Sequence, residues 1–548
     1  MLTKNLKPLV ALVALAFFAA ASAFPTASPA EAAGGAARRR QQAAPAGEQR
    51  RALTQQEARG KAIYLRGESA SGREIDAAIG ELDVPASTVT CAGCHGLRAE
   101  GKTEGGVTAG SLTWSNLVKP YGHTHPTGRK HGPFDEAAFV RAVSKGVDPD
   151  GNDLLVAMPR YKMAAEDLAD LVAYLKRIES ERDPGLDEAT IKVGVPLPSK
   201  GALAETGAAM KEVLTAYFAG VNERGGIYNR RIELGVADAG DAAGVEAARA
   251  SVRRGEVFAF VGGVTAGVDR EVAALAREEE IPFVGAATLL PQSEAPPNRY
   301  VFYFLPGARE QARALVNFAA AKPELKPARA VVLHAENELA TAAAVAAEEQ
   351  AKKHGWGAVT RQPYARGGFD AAQLAKSLKQ QNAGAVFLFG GDEDAALIRE
   401  AAAIGWTPRV FLLGVLAAKE LPATLPPSFK DRVFLSFPSL PTDLTPAGLA
   451  ELSALRDRYK LTPRHTASQL SALAAAKVFV EALKRAGQDL TREKLITALE
   501  GLYDYETGLT PRLTFGPNRR VGAAGAYLVT VDPDKKDFAP AGGWVNAN

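Results

Sequence analysis

The clearest chemical pattern in the chain is the run Cys91-Ala92-Gly93-Cys94-His95, which contains both of its cysteines. Two thiols at this spacing, followed directly by histidine, are typical of covalent haem attachment: the thiols bond to the vinyl groups and the histidine ligates the iron. The main alternative is a thioredoxin-like redox pair, which requires a βαβ unit around the motif. The flanking residues form no such unit. The run therefore predicts one covalent haem c, held by Cys91, Cys94 and His95.

A six-coordinate haem iron needs a second axial ligand, and the sequence offers methionine. Met158 is followed by Pro159, whose ring stiffens the loop and whose missing N–H removes a competing donor. A methionine ligand raises the reduction potential, which suits electron transfer. Met163 is the alternative ligand, and either methionine could instead only fill the core. We predict that Met158 binds the iron opposite His95.

Three further histidines, His123, His125 and His131, lie close together in the sequence. Their spacing matches no recognised zinc site, and no acidic residue is placed to complete a ligand set. We interpret this stretch as a loop near the haem.

Helical patterns flank the predicted ligands. Thr54-Gln55-Gln56-Glu57 is a capping box that opens a helix, and residues 134–143 form a second amphipathic segment. A third segment shows an apolar face at helical spacing, formed by Leu168, Leu171, Val172, Leu175 and Ile178.

With these motifs in order, residues 53–180 resemble a class I c-type cytochrome domain, which is an all-α fold. The resemblance depends on the cysteine–histidine run, Met158-Pro159 and the closing run Leu171-Val172-Ala173-Tyr174-Leu175. It implies covalent haem at Cys91 and Cys94, with His95 and Met158 as the axial ligands of the iron.

After residue 190 the pattern changes to short apolar strands that alternate with helices. Alternation of this kind favours a mostly parallel sheet with helices on both faces. About 360 residues are too many for one such core, so two lobes are expected. The predicted strands cover residues 191–195, 231–236, 257–261, 281–284, 330–333, 385–389 and 410–413.

This part resembles the type I periplasmic binding proteins of branched-chain amino acid ABC transporters. The resemblance implies a two-lobed α/β fold whose lobes are joined by three crossings, which we place near Pro306, Phe437 and Phe515. One lobe is then 190–306 with 438–514, and the other is 307–436 with 515–548. The matching runs are Gly194-Val195-Pro196-Leu197, Gly207-Ala208-Ala209, Val221-Asn222-Glu223-Arg224-Gly225-Gly226-Ile227, Asp238 and Ile281-Pro282-Phe283-Val284-Gly285-Ala286-Ala287-Thr288.

Two strand ends in this part are candidate ligand sites. In open α/β sheets ligands bind at the carboxyl ends of strands, where helix N-termini offer free N–H groups to a carboxylate. Both strand ends match stretches with which relatives grip the ligand carboxylate; an ordinary helix cap is the alternative for each threonine. The predicted binding residues are Gly263, Val264, Thr265, Ala286, Ala287 and Thr288.

The chain departs from amino-acid binders at two positions. Where those proteins carry a tyrosine and an acid for the ligand ammonium, this chain has His334-Ala335-Glu336-Asn337 and Gly414-Val415-Leu416. Without that acid an α-amino group lacks a counter-charge. An acidic or neutral small molecule therefore fits better than an amino acid, and the aromatic side chains Tyr364 and Phe369 either reach the cleft or belong to the core or surface.

The N-terminus predicts export. Lys4 and Lys7 precede an apolar run over 9–20 and the small-residue site Ala21-Ser22-Ala23, which together form a secretory signal peptide; an uncleaved anchor is the alternative. Residues 24–52 form an Ala-, Pro- and Gly-rich linker. The cytochrome domain is then 53–182 and the binding-protein domain 188–548, with no membrane span after signal cleavage.

The amino-acid composition excludes some classes of protein. The chain has 548 residues, 47% hydrophobic and 23% charged, which excludes a disordered or fibrous protein. Its net charge of +3 gives no reason to expect nucleic-acid binding.

The sequence thus predicts a periplasmic electron carrier that also captures or senses a small molecule. Expected partners are a redox protein, such as an exported dehydrogenase or terminal oxidase, and an ABC permease. The alternative is an ABC-transporter binding protein for a small organic acid or neutral metabolite with an accessory cytochrome. A redox enzyme is disfavoured, because the sequence shows no nucleophile–base set and six-coordinate iron leaves no open position.

Overall fold

The structure, a computed structural model, describes residues 53–125, 127–325, 329–365, 367–391 and 393–547. The predicted signal peptide and linker lie outside these residues. The described chain forms two compact units, and the boundary falls between Arg182 and Asp183.

The first unit contains short helices and short strands. Its helices are α1 (Gln55–Arg66), α2 (Cys91–His95), α3 (Trp114–Leu117), α4 (Glu136–Lys145) and α5 (Ala165–Arg177). Its strands are β1 (Asp76–Ile79), β2 (Leu82–Pro85), β3 (Lys102–Glu104), β4 (Val107–Ala109), β5 (His123–Thr124), β6 (Lys130–His131) and β7 (Arg160–Lys162).

The helices α1 and α5 pack closely and carry the core of this unit. The capping box predicted at Thr54 and Glu57 is present at the start of α1. Gly60 lets the two helices approach, because a Cβ atom there would lie 1.9 Å from the carbonyl oxygen of Asp170. The face of α5 predicted to be apolar is buried, with Leu171 and Leu175 among its residues.

The short strands add to the helical fold expected from the sequence. β1 pairs antiparallel with both β2 and β7, so that β2, β1 and β7 form a three-stranded sheet. The other strands form the two-stranded ribbons β3–β4 and β5–β6. Strands this short leave no clear two-residue alternation in the sequence, which is why pattern reasoning did not predict them.

The second unit alternates strands and helices over most of its length. Its helices are α6 (Ala204–Glu223), α7 (Ala242–Arg253), α8 (Asp269–Glu278), α9 (Ala308–Ala320), α10 (Glu338–Lys353), α11 (Ala371–Gln380), α12 (Asp394–Ala403), α13 (Leu421–Thr424), α14 (Pro446–Tyr459), α15 (Thr466–Ala486) and α16 (Arg492–Glu500). Its strands are β8 (Thr190–Leu197), β9 (Arg231–Asp238), β10 (Ala259–Val261), β11 (Phe283–Val284), β12 (Val301–Phe302), β13 (Ala330–Ala335), β14 (Val359–Tyr364), β15 (Ala385–Phe389), β16 (Arg409–Leu413), β17 (Val433–Phe437), β18 (Gly525–Asp532) and β19 (Asp537–Asn546).

Two sheets define the two lobes of this unit. The first is parallel throughout, with the order β12-β11-β10-β8-β9. The second has the order β14-β13-β15-β16-β17-β18-β19 and is parallel as far as β17, after which β18 and β19 are antiparallel. The central strands β13 and β15 are buried at every residue, as expected for a sheet covered on both faces.

The chain passes between the lobes three times. It leaves the first sheet after β12, returns after β17 and crosses again before β18. The last crossing differs from the prediction at Phe515. The ring of Phe515 packs 5.3 Å from that of Phe302, in the core of the first lobe, and Ala523 lies in the same core. Residues 515–523 therefore belong to the first lobe, because this aromatic contact holds them there.

Candidate functional site

Three of the predicted haem-binding residues, Cys91, Cys94 and His95, lie on the single short helix α2. Thr90 caps this helix, and its hydroxyl accepts a hydrogen bond from the Gly93 N–H at 3.2 Å. Cys91 is buried and Cys94 is exposed, and neither forms a disulfide. Both thiols are therefore free to form the covalent bonds that the motif predicts.

His95 is oriented by the backbone of the following loop. Its side chain is 7% exposed, and its Nδ1 lies 2.7 Å from the carbonyl oxygen of Gly110. Because a carbonyl only accepts, Nδ1 must carry the proton and Nε2 keeps its lone pair for a metal. Burial lowers the pKa of His95, which favours the neutral imidazole that ligates iron.

Two tyrosines hold the ends of α2. The hydroxyl of Tyr161 donates to the carbonyl of Val89 at 2.5 Å, just before the helix. The hydroxyl of Tyr64 donates to the carbonyl of Gly96 at 2.7 Å, just after it. Both side chains are buried, so the helix is anchored to the core at both ends.

Met158 and Met163 are both half-buried against the hydrophobic core that also contains Cys91. The side chain of Arg160 makes hydrogen bonds to the loop before Met158, and the sequence pattern did not predict them. The guanidinium of Arg160 donates to the carbonyl of Leu154 at 2.9 Å and also to that of Met158. Arg160 thus positions the Met158 loop, which agrees with the choice of Met158 but leaves it a prediction.

These residues fit a covalently bound haem. They supply two free thiols, a histidine with a free Nε2 and a partly buried methionine. Apolar side chains are also exposed on this unit, and haem has large apolar faces that would cover such groups; they include Leu82 of β2 and Leu97, Val118, Leu155 and Val156.

The three histidines of the β5–β6 ribbon form one cluster. His123 pairs with His131 across the ribbon, and the Nε2 atoms of His125 and His131 are 2.9 Å apart. The described residues hold no group of three or more His, Cys, Asp or Glu side chains arranged for a metal ion. A Cβ atom on Gly110 would lie 3.9 Å from the His125 ring, so the cluster borders the loop that orients His95.

In the second unit, three of the backbone N–H groups predicted to bind a ligand already donate to other parts of the chain. The N–H of Val264 donates to Pro196, that of Thr265 to Ala287 and that of Ala287 to Gly263, at 3.2, 3.2 and 3.0 Å. These bonds join the two predicted loops as an extension of the parallel sheet. The three groups therefore have no free hydrogen for a ligand carboxylate.

The Thr265 hydroxyl is also engaged, by a carboxylate of the chain itself. Thr265 Oγ1 donates to Asp269 at 2.7 Å. Burial raises the pKa of Asp269, while hydrogen bonds from Thr288, Thr265 and the backbone of Gly267 oppose that rise. Asp269 is the first residue of α8 and was not predicted; its position four residues after Thr265, at a helix start, is the signal that could have identified it.

A cavity of about 130 Å³ lies beside these loops, between parts of both lobes. Of the residues predicted to bind a ligand, Ala286, Ala287 and Thr288 line this cavity, whereas Gly263, Val264 and Thr265 do not. The other walls include Phe304, Val415, Leu440 and Ser468. In the described part of the chain its lining contains no charged side chain.

The fold, the cleft between two lobes and the helix α2 agree with comparisons against known families. A periplasmic binding protein family model matches residues 190–537. The chain belongs to the periplasmic binding protein family. A cytochrome c family model matches residues 86–179, within the first unit. No curated protein matches the sequence.

Solved structures show the same fold in the periplasmic binding protein part. One, described as a branched-chain amino acid ABC transporter from Rhodospirillum rubrum, is 21% identical, with a TM-score of 0.51; the match covers 64% of this chain and all of that one. Another, an ABC transporter substrate-binding protein from Aeropyrum pernix, is 16% identical, covering 65% of this chain and 96% of that one, with a TM-score of 0.50. At such identities the likeness shows the fold alone.

Of the two segments that depart from the amino-acid binders of this family, the first lies at a second, larger cavity of about 600 Å³, whereas Val415 of the second lines the smaller cavity. His334, Glu336 and Asn337 line the larger cavity, together with several arginines and glutamates. Tyr364 does not reach either cavity lining; it is buried in the second lobe, with its ring 4.8 Å from that of Phe369.

Proposed function

We propose that this protein is an exported monohaem cytochrome whose second unit captures a small molecule, so that electron transfer and ligand binding occur in one periplasmic chain. The cytochrome c and periplasmic binding protein matches give an electron carrier joined to a ligand-binding protein. Both families indicate export, and no described helix is long and apolar enough to cross a membrane.

One observation carries the electron-transfer part of this proposal. Cys91 and Cys94 are free thiols on the same helix as His95, and Gly110 accepts the Nδ1 proton of His95 and leaves Nε2 unprotonated. When bound, haem c takes up and releases one electron. The protein's own contribution is to fix the histidine, to hold the Met158 loop through Arg160 and to surround the group with apolar side chains.

The ligand-binding part is supported by the cavity between the lobes of the second unit. Concave, largely apolar sites with a few polar groups are the usual form of a small-molecule site. The engaged donors at Val264, Thr265 and Ala287 argue against a carboxylate ligand, so of the two predicted ligand types the neutral metabolite is the better supported.

A second function is favoured by the extent of the family match. The periplasmic binding protein model covers residues 190–537, far more of the chain than the cytochrome model. The protein would then deliver its ligand to an ABC permease, with the cytochrome as an accessory. Under the first function, the expected partner is a periplasmic redox protein such as an exported dehydrogenase or terminal oxidase.

Haem staining of the exported full-length protein on a denaturing gel tests the proposal. Covalent haem stays with the polypeptide, so the wild-type band should retain peroxidase activity. Cys91→Ala combined with Cys94→Ala should abolish the stain, whereas Ser453→Ala, a change at an exposed helical serine of the second unit, should not. A wild-type band without haem would refute the electron-transfer function.

Two assays, one with a redox partner and one with a permease, distinguish the two candidate functions. Reduction of the purified protein by a quinoprotein dehydrogenase from the same periplasm, at a rate that rises with protein concentration, supports electron transfer as the main role. Ligand-dependent stimulation of a reconstituted permease, with no effect of haem oxidation state, supports transport instead.

A further inference from the structure

The cavity of about 130 Å³ has the size of a site for a small aromatic or aliphatic molecule. An engineered apolar cavity of about 150 Å³ stays dry and binds benzene. The walls here are likewise mostly apolar, with Met210, Phe304, Leu440 and Leu470 among them. A ligand with an apolar body of about six or seven carbon atoms therefore fits the space.

One buried polar group in this cavity has no partner. Ser468 is 5% exposed and lines the cavity, and its hydroxyl finds no hydrogen-bond partner among the described residues. It lies in the first turn of α15, where the backbone N–H groups of a helix also lack intrahelical acceptors. Because buried hydroxyls in native proteins are almost always satisfied, a ligand oxygen is the partner that this position lacks.

The other buried hydroxyl of the cavity lining, that of Thr510, is already satisfied. Thr510 Oγ1 lies 2.8 Å from Thr507 Oγ1 and donates to the Pro511 carbonyl at 2.9 Å. Thr288, Ser439 and Ser471 also line the cavity but are only half-buried, and Thr288 Oγ1 already accepts from the Leu290 N–H at 2.9 Å. Ser468 is therefore the buried hydroxyl of the lining that has no partner among the described residues.

The charge of the surroundings excludes ionised ligands. The lining contains no charged side chain in the part of the chain that the structure describes, so a buried carboxylate or ammonium would have no counter-ion. Asp269 does not line the cavity, and one of its oxygens already accepts from Thr265. It is therefore not placed to serve as the counter-ion of an ammonium group in the cavity.

We propose that this cavity binds a small uncharged molecule with an apolar body and one alcohol or carbonyl oxygen, which hydrogen-bonds to Ser468. The inference rests on the proposed ligand-binding function and names its ligand class. The proposed ligand differs from the amino acids bound by the transporter family, because it has neither a carboxylate nor an ammonium group.

A series of four probes with a shared ring tests the class on the full-length, haem-loaded protein. Benzyl alcohol has the apolar body and the oxygen, toluene lacks the oxygen, benzoate is an anion and benzylamine is a cation. Calorimetric titration should show benzyl alcohol binding tightest and toluene about fivefold weaker, because one hydrogen bond is lost. Benzoate and benzylamine should bind at least about tenfold more weakly than benzyl alcohol.

Two variants locate the site. Ser468→Ala should weaken benzyl alcohol about fivefold and leave toluene unchanged, while Ser453→Ala, a change at an exposed serine of α14, should alter neither. Val415 lines the cavity and is only half-buried, so Val415→Phe should fill the space and abolish binding of both probes without unfolding the lobe.

The outcomes distinguish this inference from the proposed function. Benzoate or benzylamine binding as tightly as benzyl alcohol would overturn the ligand class while ligand capture stands. Equal affinity of benzyl alcohol for the wild type and Ser468→Ala would overturn the assigned contact. If none of the four probes binds at millimolar concentration to protein that stains for haem, the inference fails and the electron-transfer function is untouched.

Discussion

The ionisation of Asp269 should make the stability of the second unit depend on pH. Burial raises its pKa, so folding favours the protonated form. Its favourable contribution is therefore fully present below the ordinary aspartate pKa and is lost as pH rises through the raised pKa of the folded state. Asp269→Asn removes this dependence. We expect the stability of the wild type, relative to the variant, to fall as pH rises from acid to neutral values.

Denaturant unfolding of both proteins across this pH range measures the difference. The comparison cancels all other titrating groups, because the two chains share them. Asp457→Asn, on an exposed position of α14, serves as the control for replacing a carboxylate by an amide. A difference between wild type and Asp269→Asn that is flat with pH would contradict the buried carboxylate.

The axial methionine is a second prediction at the scale of one residue. Met158→Ala should abolish the weak methionine–iron charge-transfer band of the oxidised protein and lower its reduction potential, because a thioether ligand favours the reduced iron. Met163→Ala is the matched control and should leave both properties unchanged. Loss of the band in Met163→Ala alone would assign the ligand to Met163. Visible absorption and potentiometric titration give the two readings.

Residues that act through local sequence were predictable, and those that act through distant contacts were not. Cys91, Cys94 and His95 share one turn of helix, so their spacing alone predicts their chemistry. Ser468 lines the same cavity as Thr288 although about 180 residues separate them in the chain, and only the folded arrangement brings them together. For Thr265 the local pattern predicts ligand binding, but the residue does not line the cavity and its hydroxyl donates to the neighbouring Asp269.

At the scale of elements, the close packing of α1 on α5 depends on Gly60. Alanine is a better helix former by about 1 kcal/mol, yet its Cβ atom would overlap the Asp170 carbonyl of α5. An extra methyl group in a well-packed contact costs about 1–3 kcal/mol, so after the gain in helix propensity Gly60→Ala should destabilise the first unit by up to about 2 kcal/mol. Chemical unfolding followed through haem absorption measures this.

Gly220 of α6 provides the matched control for that substitution. A Cβ atom there would meet the Tyr459 hydroxyl at 3.2 Å, the movable end of a side chain. Gly220→Ala should therefore leave the second unit as stable as before or slightly more so. Equal stability changes for the two variants would show that helix propensity, not the approach of α1 to α5, decides the effect.

Sequence patterns predicted the long elements better than the boundaries between them. The buried strands β13 and β15 are continuous apolar runs and were found as such. The third crossing was placed at Phe515, whereas the ring packs on Phe302 and the chain crosses only before β18. An aromatic residue in a loop has no local signal that tells a core contact from an exposed connection.

For the whole molecule, the two units should unfold as separate events. They form separate compact bodies with their own hydrophobic cores, so calorimetric scanning should resolve two transitions, one of which coincides with the loss of the haem absorption. Benzyl alcohol at a hundredfold excess over its dissociation constant should stabilise only the other transition, by about 2.7 kcal/mol.

Val415→Phe provides the control, since its filled cavity should remove the ligand-induced shift. A single transition, or an equal shift of both, would show that the units are energetically coupled. In that case the haem potential should also differ between ligand-free and ligand-bound protein, because such coupling is reciprocal.

The hydrogen bond that Thr265 gives to Asp269 has a calorimetric consequence. Asp269 does not line the neighbouring cavity, so we expect the binding of an uncharged ligand there to transfer no proton to or from solvent. At pH 8 the heat of binding should be the same in phosphate and in Tris, whose ionisation enthalpies differ widely. Since the lining carries no charge, the association rate should also be insensitive to ionic strength, and the heat capacity should fall as apolar surface is buried.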